Sequence, residues 1–293
     1  MVSDAFRRMS QERNTFSILE TLDVHTGQRT VLKEFEDVIE APNWTSDGRH
    51  LIYNSLGRLY RYELATGAIA VIDTGFAVNC NNDHVLSADQ TRIAVSHHPE
   101  EDGRSRIYTL PMEGGAPTLV TEKGPSYLHG WSPDGQTLAY CAERNGQYDV
   151  YTISVNGGLE TQLTNLPGLD DGPEYSPSGE HIWFNSTRTG LMQVWRMRPD
   201  GSEPTHIYAD DANSWFPHVS PNGELVVYVA YRKGDVAPTD HPANKHVELR
   251  LASASGGASQ PIAALFGGQG TINVNSWSPD SRTVAFVSYR LKG

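Results

Sequence analysis

Six copies of one short turn, set roughly 44 residues apart, limit what this chain can fold into more than any other feature. The clearest copy is Trp131-Ser132-Pro133-Asp134-Gly135, followed by the apolar run Leu138-Ala139-Tyr140. Proline presets φ for the first corner, aspartate can bond nearby amides, and glycine accepts the positive φ that returns the chain. The other copies are Trp44-Thr45-Ser46-Asp47-Gly48, Leu86-Ser87-Ala88-Asp89-Gln90, Tyr175-Ser176-Pro177-Ser178-Gly179, Val219-Ser220-Pro221-Asn222-Gly223 and Trp277-Ser278-Pro279-Asp280-Ser281. Each precedes an apolar strand, so each reads as a hairpin. Counted at the proline position (46, 88, 133, 177, 221 and 279), the steps are 42, 45, 44, 44 and 58 residues. That period predicts four-stranded propeller blades, and six turns predict six of them.

The ends of the chain bear on how such a ring closes. Two strands, one over Thr15 to Leu22 and one from Arg29 to Phe35, precede the first turn motif. The last repeat supplies only two, over 272–277 and 283–289. Two orphans at the start and two missing at the end predict one shared blade, whose pairing removes exposed edges. The expected architecture is all-β: a six-bladed propeller over 15–293 behind a flexible polar tail over 1–14. The long step of 58 places an insertion over 232–246, between the second and third strands of its blade.

The formal charge of −12, from 23 basic and 35 acidic residues, argues against nonspecific nucleic-acid binding. Cys80 and Cys141 fall in or beside strands of different repeats and read as buried thiols of a reducing compartment. Residues 1–14 have no apolar core of the kind a secretory signal needs, and no run reaches membrane-spanning length. These observations lead to the expectation of a cytoplasmic protein with no membrane partner.

The Trp-Ser-Pro-Asp-Gly turn, with Leu138-Ala139-Tyr140 after it and then Val150-Tyr151-Thr152-Ile153 and Gly157-Gly158, resembles the propeller repeat of TolB. The resemblance runs from about residue 15 to the end. It implies a six-bladed propeller and, by analogy, a protein-binding hub. The TolB leader and N-terminal α/β domain are not recognisable here. Related propellers accompany prolyl-oligopeptidase-type peptidases, but no Gly-x-Ser-x-Gly elbow occurs in this chain. There is likewise no phosphate-binding loop, dinucleotide fingerprint, His-Glu-x-x-His or Cys-x-x-Cys.

In such a ring the innermost strand of each blade runs along the central channel toward its Ser-Pro-Asp-Gly turn. The opposite face, here called the mouth face, collects acid: Glu36, Asp37, Glu40, Asp73, Asp83, Asp170, Asp171, Asp210 and Asp211, with Glu100, Glu101 and Asp102 on a second-to-third-strand loop. Pro42, Pro173 and Pro217 lie four residues before the turn proline, where the other repeats carry His84, His129 and Asn275. His218 is one residue further along. Imidazole and carboxylate suit zinc, manganese or iron, so His84, His129 and His218 are candidate ligands of a divalent metal in the channel. Oligogalacturonate lyases, also propellers, similarly gather channel histidines around a metal. The alternative is that each histidine braces neighbouring blades. Trp215-Phe216 reads first as packing between blades and second as a stacking platform. The insertion brings His241, Asn244 and Lys245 toward the mouth as a lid.

The expected ligand-binding set is therefore Glu40, His84, His129, Asp171, Trp215, His218, His241, Asn244 and Lys245. The expected function is a binding module that recognises a protein, a peptide or a small polar ligand at the mouth face. The alternative is a metal-assisted lyase or hydrolase acting on an acidic sugar or other small polar substrate. No catalytic residue is assigned, and no cofactor beyond the candidate metal.

Overall fold

The computed structural model describes residues 15–292, and the tail expected over 1–14 lies outside them. The chain forms six blades in a ring. Five are four-stranded antiparallel sheets in simple meander order: blade 1 from Glu40–Trp44 to Ile69–Ile72, blade 2 from Cys80–Leu86 to Thr118–Leu119, blade 3 from Ser126–Trp131 to Thr161–Gln162, blade 4 from Asp170–Tyr175 to Thr205–Tyr208, and blade 5 from Ala212–Val219 to Gln260–Gly267. Blade 6 combines the two ends of the chain. Thr15–Asp23 pairs with Thr283–Leu291 along its whole length on one side and with Arg29–Phe35 on the other. Residues 272–277, expected as a strand of blade 6, run in place with their flanking residues but join the neighbouring strand at few points. Among these are Val287 N–H to Thr271, Ala285 N–H to Ser276 and a single bridge between Trp277 and Val284. The regular ladder of this blade therefore has three strands rather than four.

The turns carry the chemistry read from them. In the third copy the Ser132 hydroxyl donates to Asp134, whose carboxylate accepts from the Gln136 amide, and Ser132 Oγ accepts from the Thr137 amide. Gly135 has φ of 72°, and Gly48, Gly179 and Gly223 match it. Gln90 and Ser281 adopt the same left-handed conformation where the motif lacks glycine. The fold imposes the conformation, and glycine only lowers its cost.

The aromatic residue that precedes four of the six turns packs between blades. Trp131 sits with Ala94 and Ile107 of blade 2 under the Arg92 guanidinium. Trp277 donates its indole N–H to the His218 carbonyl of blade 5. Cys80 and Cys141 are free and buried, and burial pushes the Cys80 thiol up to about 12 and Cys141 well above the ordinary range, so neither is a reactive thiolate. No helix among the described residues is long and apolar enough to cross a membrane.

Candidate functional site

Each regular inner strand breaks register once: at Glu40/Asn43, Cys80/His84, Leu128/Gly130, Asp171/Glu174 and Trp215/His218. Where proline follows, the residue before it is left-handed, namely Ala41, Gly172 and Phe216. A bulge at a fixed register turns the flanking side chains toward the neighbouring blades. It sets up three polar clusters along the channel.

The first cluster centres on Glu174. Its carboxylate accepts from the Val219 amide at 3.1 Å and Asn275 Nδ2 at 2.7 Å, and it lies 2.6 Å from His218 Nδ1. His218 Nε2 lies 2.7 Å from the Ile272 carbonyl oxygen. One carboxylate thus ties blade 4 to blades 5 and 6. A second cluster joins Asn82 to Glu40, and Asn273 to both Asn82 and Asp83. These contacts link blades 1, 2 and 6.

The third cluster lies at the mouth. His129 Nε2 of blade 3 is 3.2 Å from Asp171 Oδ1 of blade 4, and both residues are buried. His241, carried by the insertion of blade 5, brings its Nε2 to 4.0 Å from the other Asp171 oxygen. Beneath them Phe216 stacks on His129 with ring centres 5.6 Å apart, and Trp215 meets the His241 ring edge-on at 4.3 Å. Burial opposes a charge on His129, but the hydrogen bond to Asp171 and the carboxylates of Asp83, Asp171 and Glu174 outweigh it. Its pKa is raised. Burial also works against the Asp171 anion, and His129 and His241 overcome it to hold that carboxyl below its ordinary range. His241 is held low, chiefly by burial.

The insertion reaches the mouth because of what its ends touch. Tyr231 donates its hydroxyl to the Pro242 carbonyl at 2.9 Å, and a side chain on Gly268 would collide with that same oxygen. Asn213, at the start of the blade 5 inner strand, donates to the Val236 carbonyl. The loop therefore folds inward over its own inner strand. Of its three expected contributors, His241 reaches the cluster. Asn244 takes a left-handed turn with a buried Oδ1 that has no hydrogen-bond partner. Lys245 opens the third strand, paired with Gly267.

The other candidates divide in the same way. Trp215 is fully buried and packs between blades while flooring the mouth cluster. Glu40 belongs to the second cluster. His84 is buried completely, with Nε2 toward the Ile52 carbonyl of blade 1, and burial lowers its pKa to about 4. No group of three or more His, Cys, Asp or Glu among the described residues is arranged to hold a metal ion. The expected triad of His84, His129 and His218 is thus not assembled. Each imidazole is turned to a different partner, and both nitrogens of His218 are engaged. Three members of the expected acidic rim are locally neutralised: Asp170 by Arg188, Asp102 by Arg106 and Asp211 by Lys233. Two open grooves, of about 710 and 540 Å³, lie on the turn face between blades 4 and 5 and between blades 2 and 3, away from these clusters.

A closed six-bladed propeller with braced channel walls and a loop folded over one mouth is the class of protein that these elements define. Residues 127–264 match the TolB beta propeller domain. The chain is 45% identical over 274 residues to an uncharacterized protein of Agrobacterium fabrum, covering 93% of this chain and 92% of that one. A solved structure from Agrobacterium tumefaciens, provisionally named TolB, superposes with a TM-score of 0.90 at 45% identity, over 94% of this chain and 99% of the other. The Tol-Pal system protein TolB of Francisella tularensis is 26% identical over 260 residues, which is 86% of this chain and 57% of that longer protein. The chain belongs to the TolB-type β-propeller family.

Proposed function

We propose that this propeller is a binding scaffold that takes a segment of a partner polypeptide at its mouth face. One observation carries the reading: a loop-borne imidazole, His241, is seated over Asp171, whose other oxygen faces the His129 imidazole of the channel wall. Walls braced by Glu174 and Asn273 give a rigid floor. The loop gives a part that can yield: it rests on the floor through the His241 ring edge against Trp215 and Phe216 and through a few hydrogen bonds. The buried Nδ1 of His241 and Oδ1 of Asn244, both without partners, offer a peptide amide or side chain one acceptor-capable ring nitrogen and one acceptor oxygen. Phe216 and Trp215 supply an apolar floor beside them. The alternative of a metal-assisted lyase or hydrolase requires His218 to surrender its contacts with Glu174 and Ile272, so we rank it below binding.

The test is photo-cross-linking in the native host. A benzoylphenylalanine is placed at exposed Asp240 on the mouth face, and in a second protein at exposed Gln136 on the turn face. The reading predicts a discrete polypeptide adduct from position 240 and none from 136. Adducts from 136 alone would refute it.

A further inference from the structure

Leu56 occupies a position that its chemistry does not suit. It sits with Gly57 in the two-residue turn between the strands His50–Ser55 and Arg58–Glu63, and both turn residues have positive φ, 48° and 80°. Turns of this geometry favour asparagine-glycine. The matching turn of blade 3 is Asn145-Gly146, with φ of 56° and 82°. Blade 1 instead holds a leucine in the left-handed region, and 56% of it is exposed. Nothing in the local turn or the core explains that choice.

Leu56 is not alone. Gly57 packs so closely on the Val78 carbonyl that a Cβ would come within 2.5 Å of it, and the Cys80 amide donates to the Gly57 carbonyl. That contact sets Leu56 beside the 73–79 segment, where Phe76 is 60% exposed and Val78 42%. Phe76 is held in place edge-on to Tyr108 and His97. Acidic side chains outnumber basic ones at this corner, where exposed Arg58 follows the turn and Arg106 lies beside Tyr108. Ser55 donates to the Val38 carbonyl, which brings exposed Glu36 and Asp37 alongside. Asp73 lies three residues from Phe76, and Glu101 lies within the field of both Tyr108 and His97, on which Phe76 rests. Glu100 is exposed beside it.

We infer that Leu56, Phe76 and Val78 form a docking patch on the mouth-face rim for a partner polypeptide whose apolar anchor residues are flanked by lysine or arginine. The apolar trio takes the anchors. The carboxylates of Glu36, Asp37, Asp73, Glu100 and Glu101 steer and hold the basic flanks. This rests on the binding reading given above and adds the chemistry of the partner.

The probe is a fluorescein-labelled peptide, Lys-Lys-Leu-Ala-Phe-Leu-Lys-Lys, titrated by anisotropy against the full chain, with a glutamate-for-lysine version as control. Leu56→Asn restores the residue the turn prefers, so it should raise Tm by about 2 °C while weakening peptide binding at least tenfold. Phe76→Ser should weaken it similarly, and the glutamate peptide should bind at least tenfold less tightly than its parent. No saturable binding, or binding that ignores either substitution or the peptide's charge, overturns the patch. A concentration-dependent dimer that Leu56→Asn dissolves would also overturn it and assign the corner to a second copy of this chain. A cross-link from position 240 that survives beside any of these failures would sink the patch and leave the mouth-face reading standing.

Discussion

Replacing Glu174 by alanine should loosen three blades at once. The carboxylate receives the Val219 amide and the Asn275 side-chain amide, and it lies against His218. Truncation orphans three groups on blades 5 and 6 that are buried or partly buried. A buried donor left without an acceptor costs about 1–3 kcal/mol. The three losses are not independent, because Asn275 also bonds the Val219 carbonyl and His218 retains Ile272. Hydrogen bonds to a charged group contribute about 1.5–3 kcal/mol each, and with the overlap among these contacts the expectation for Glu174→Ala is about 3–5 kcal/mol. Glu174→Gln keeps the Oε1 contacts and should cost about half as much. Urea denaturation followed by tryptophan fluorescence measures both, with the slope of the transition checking that cooperativity survives. A cycle with His218→Ala should reveal coupling above about 1 kcal/mol. A cost for Glu174→Ala below about 1 kcal/mol would refute the view that this carboxylate braces the ring.

Other substitutions probe the turns and the mouth. Open space surrounds Gly135, where the nearest neighbour of an added Cβ is the Arg92 guanidinium at 4.0 Å, so Gly135→Val tests backbone strain alone. It should cost on the order of 1–3 kcal/mol by denaturation, and a neutral result would mean that a φ of 72° costs valine nothing in this turn. His129 has a raised pKa in the fold, so the stability it contributes is complete below the unfolded histidine value near 6.5 and fades as pH rises through the folded value. Stability curves from pH 5 to 9 should show that loss in the native protein, and Asp171→Asn should largely remove it. Identical pH profiles for the two proteins would contradict the His129–Asp171 pairing.

The fold was legible because its signals are local. Ser132, Asp134 and Gly135 specify their own turn, and a repeated turn with a steady period specifies a ring. Even blade 6 could be read, since orphan strands at each end have only each other to pair with. What was not legible is how its inner segment holds: the side chains of Asn273 and Asn275 bond to other blades, and few ladder contacts remain there. The histidines resisted reading for a related reason. His84 and His129 share one register, yet one turns toward blade 1 and the other toward blade 4, because rotamer and neighbour decide the direction after a bulge. His218 stands one residue further on and engages blades on both sides. The meeting of His241 with Asp171 depended on the path of an insertion, which has no periodicity to read. Leu56 did leave a signal, a leucine where Asn145 marks the favoured residue, but only the paired φ values give it meaning.

Hydrogen exchange offers the most direct test of the central claim, that recognition takes place under the inserted loop at the mouth. It would be measured on the full chain alone and with the partner captured through position 240. The account predicts slowed exchange across 233–244 and around Leu56 and Phe76, with the turn segments 45–48, 132–135 and 220–223 unchanged. Protection confined to those turn segments, with 233–244 exchanging as fast as in the free protein, would contradict it.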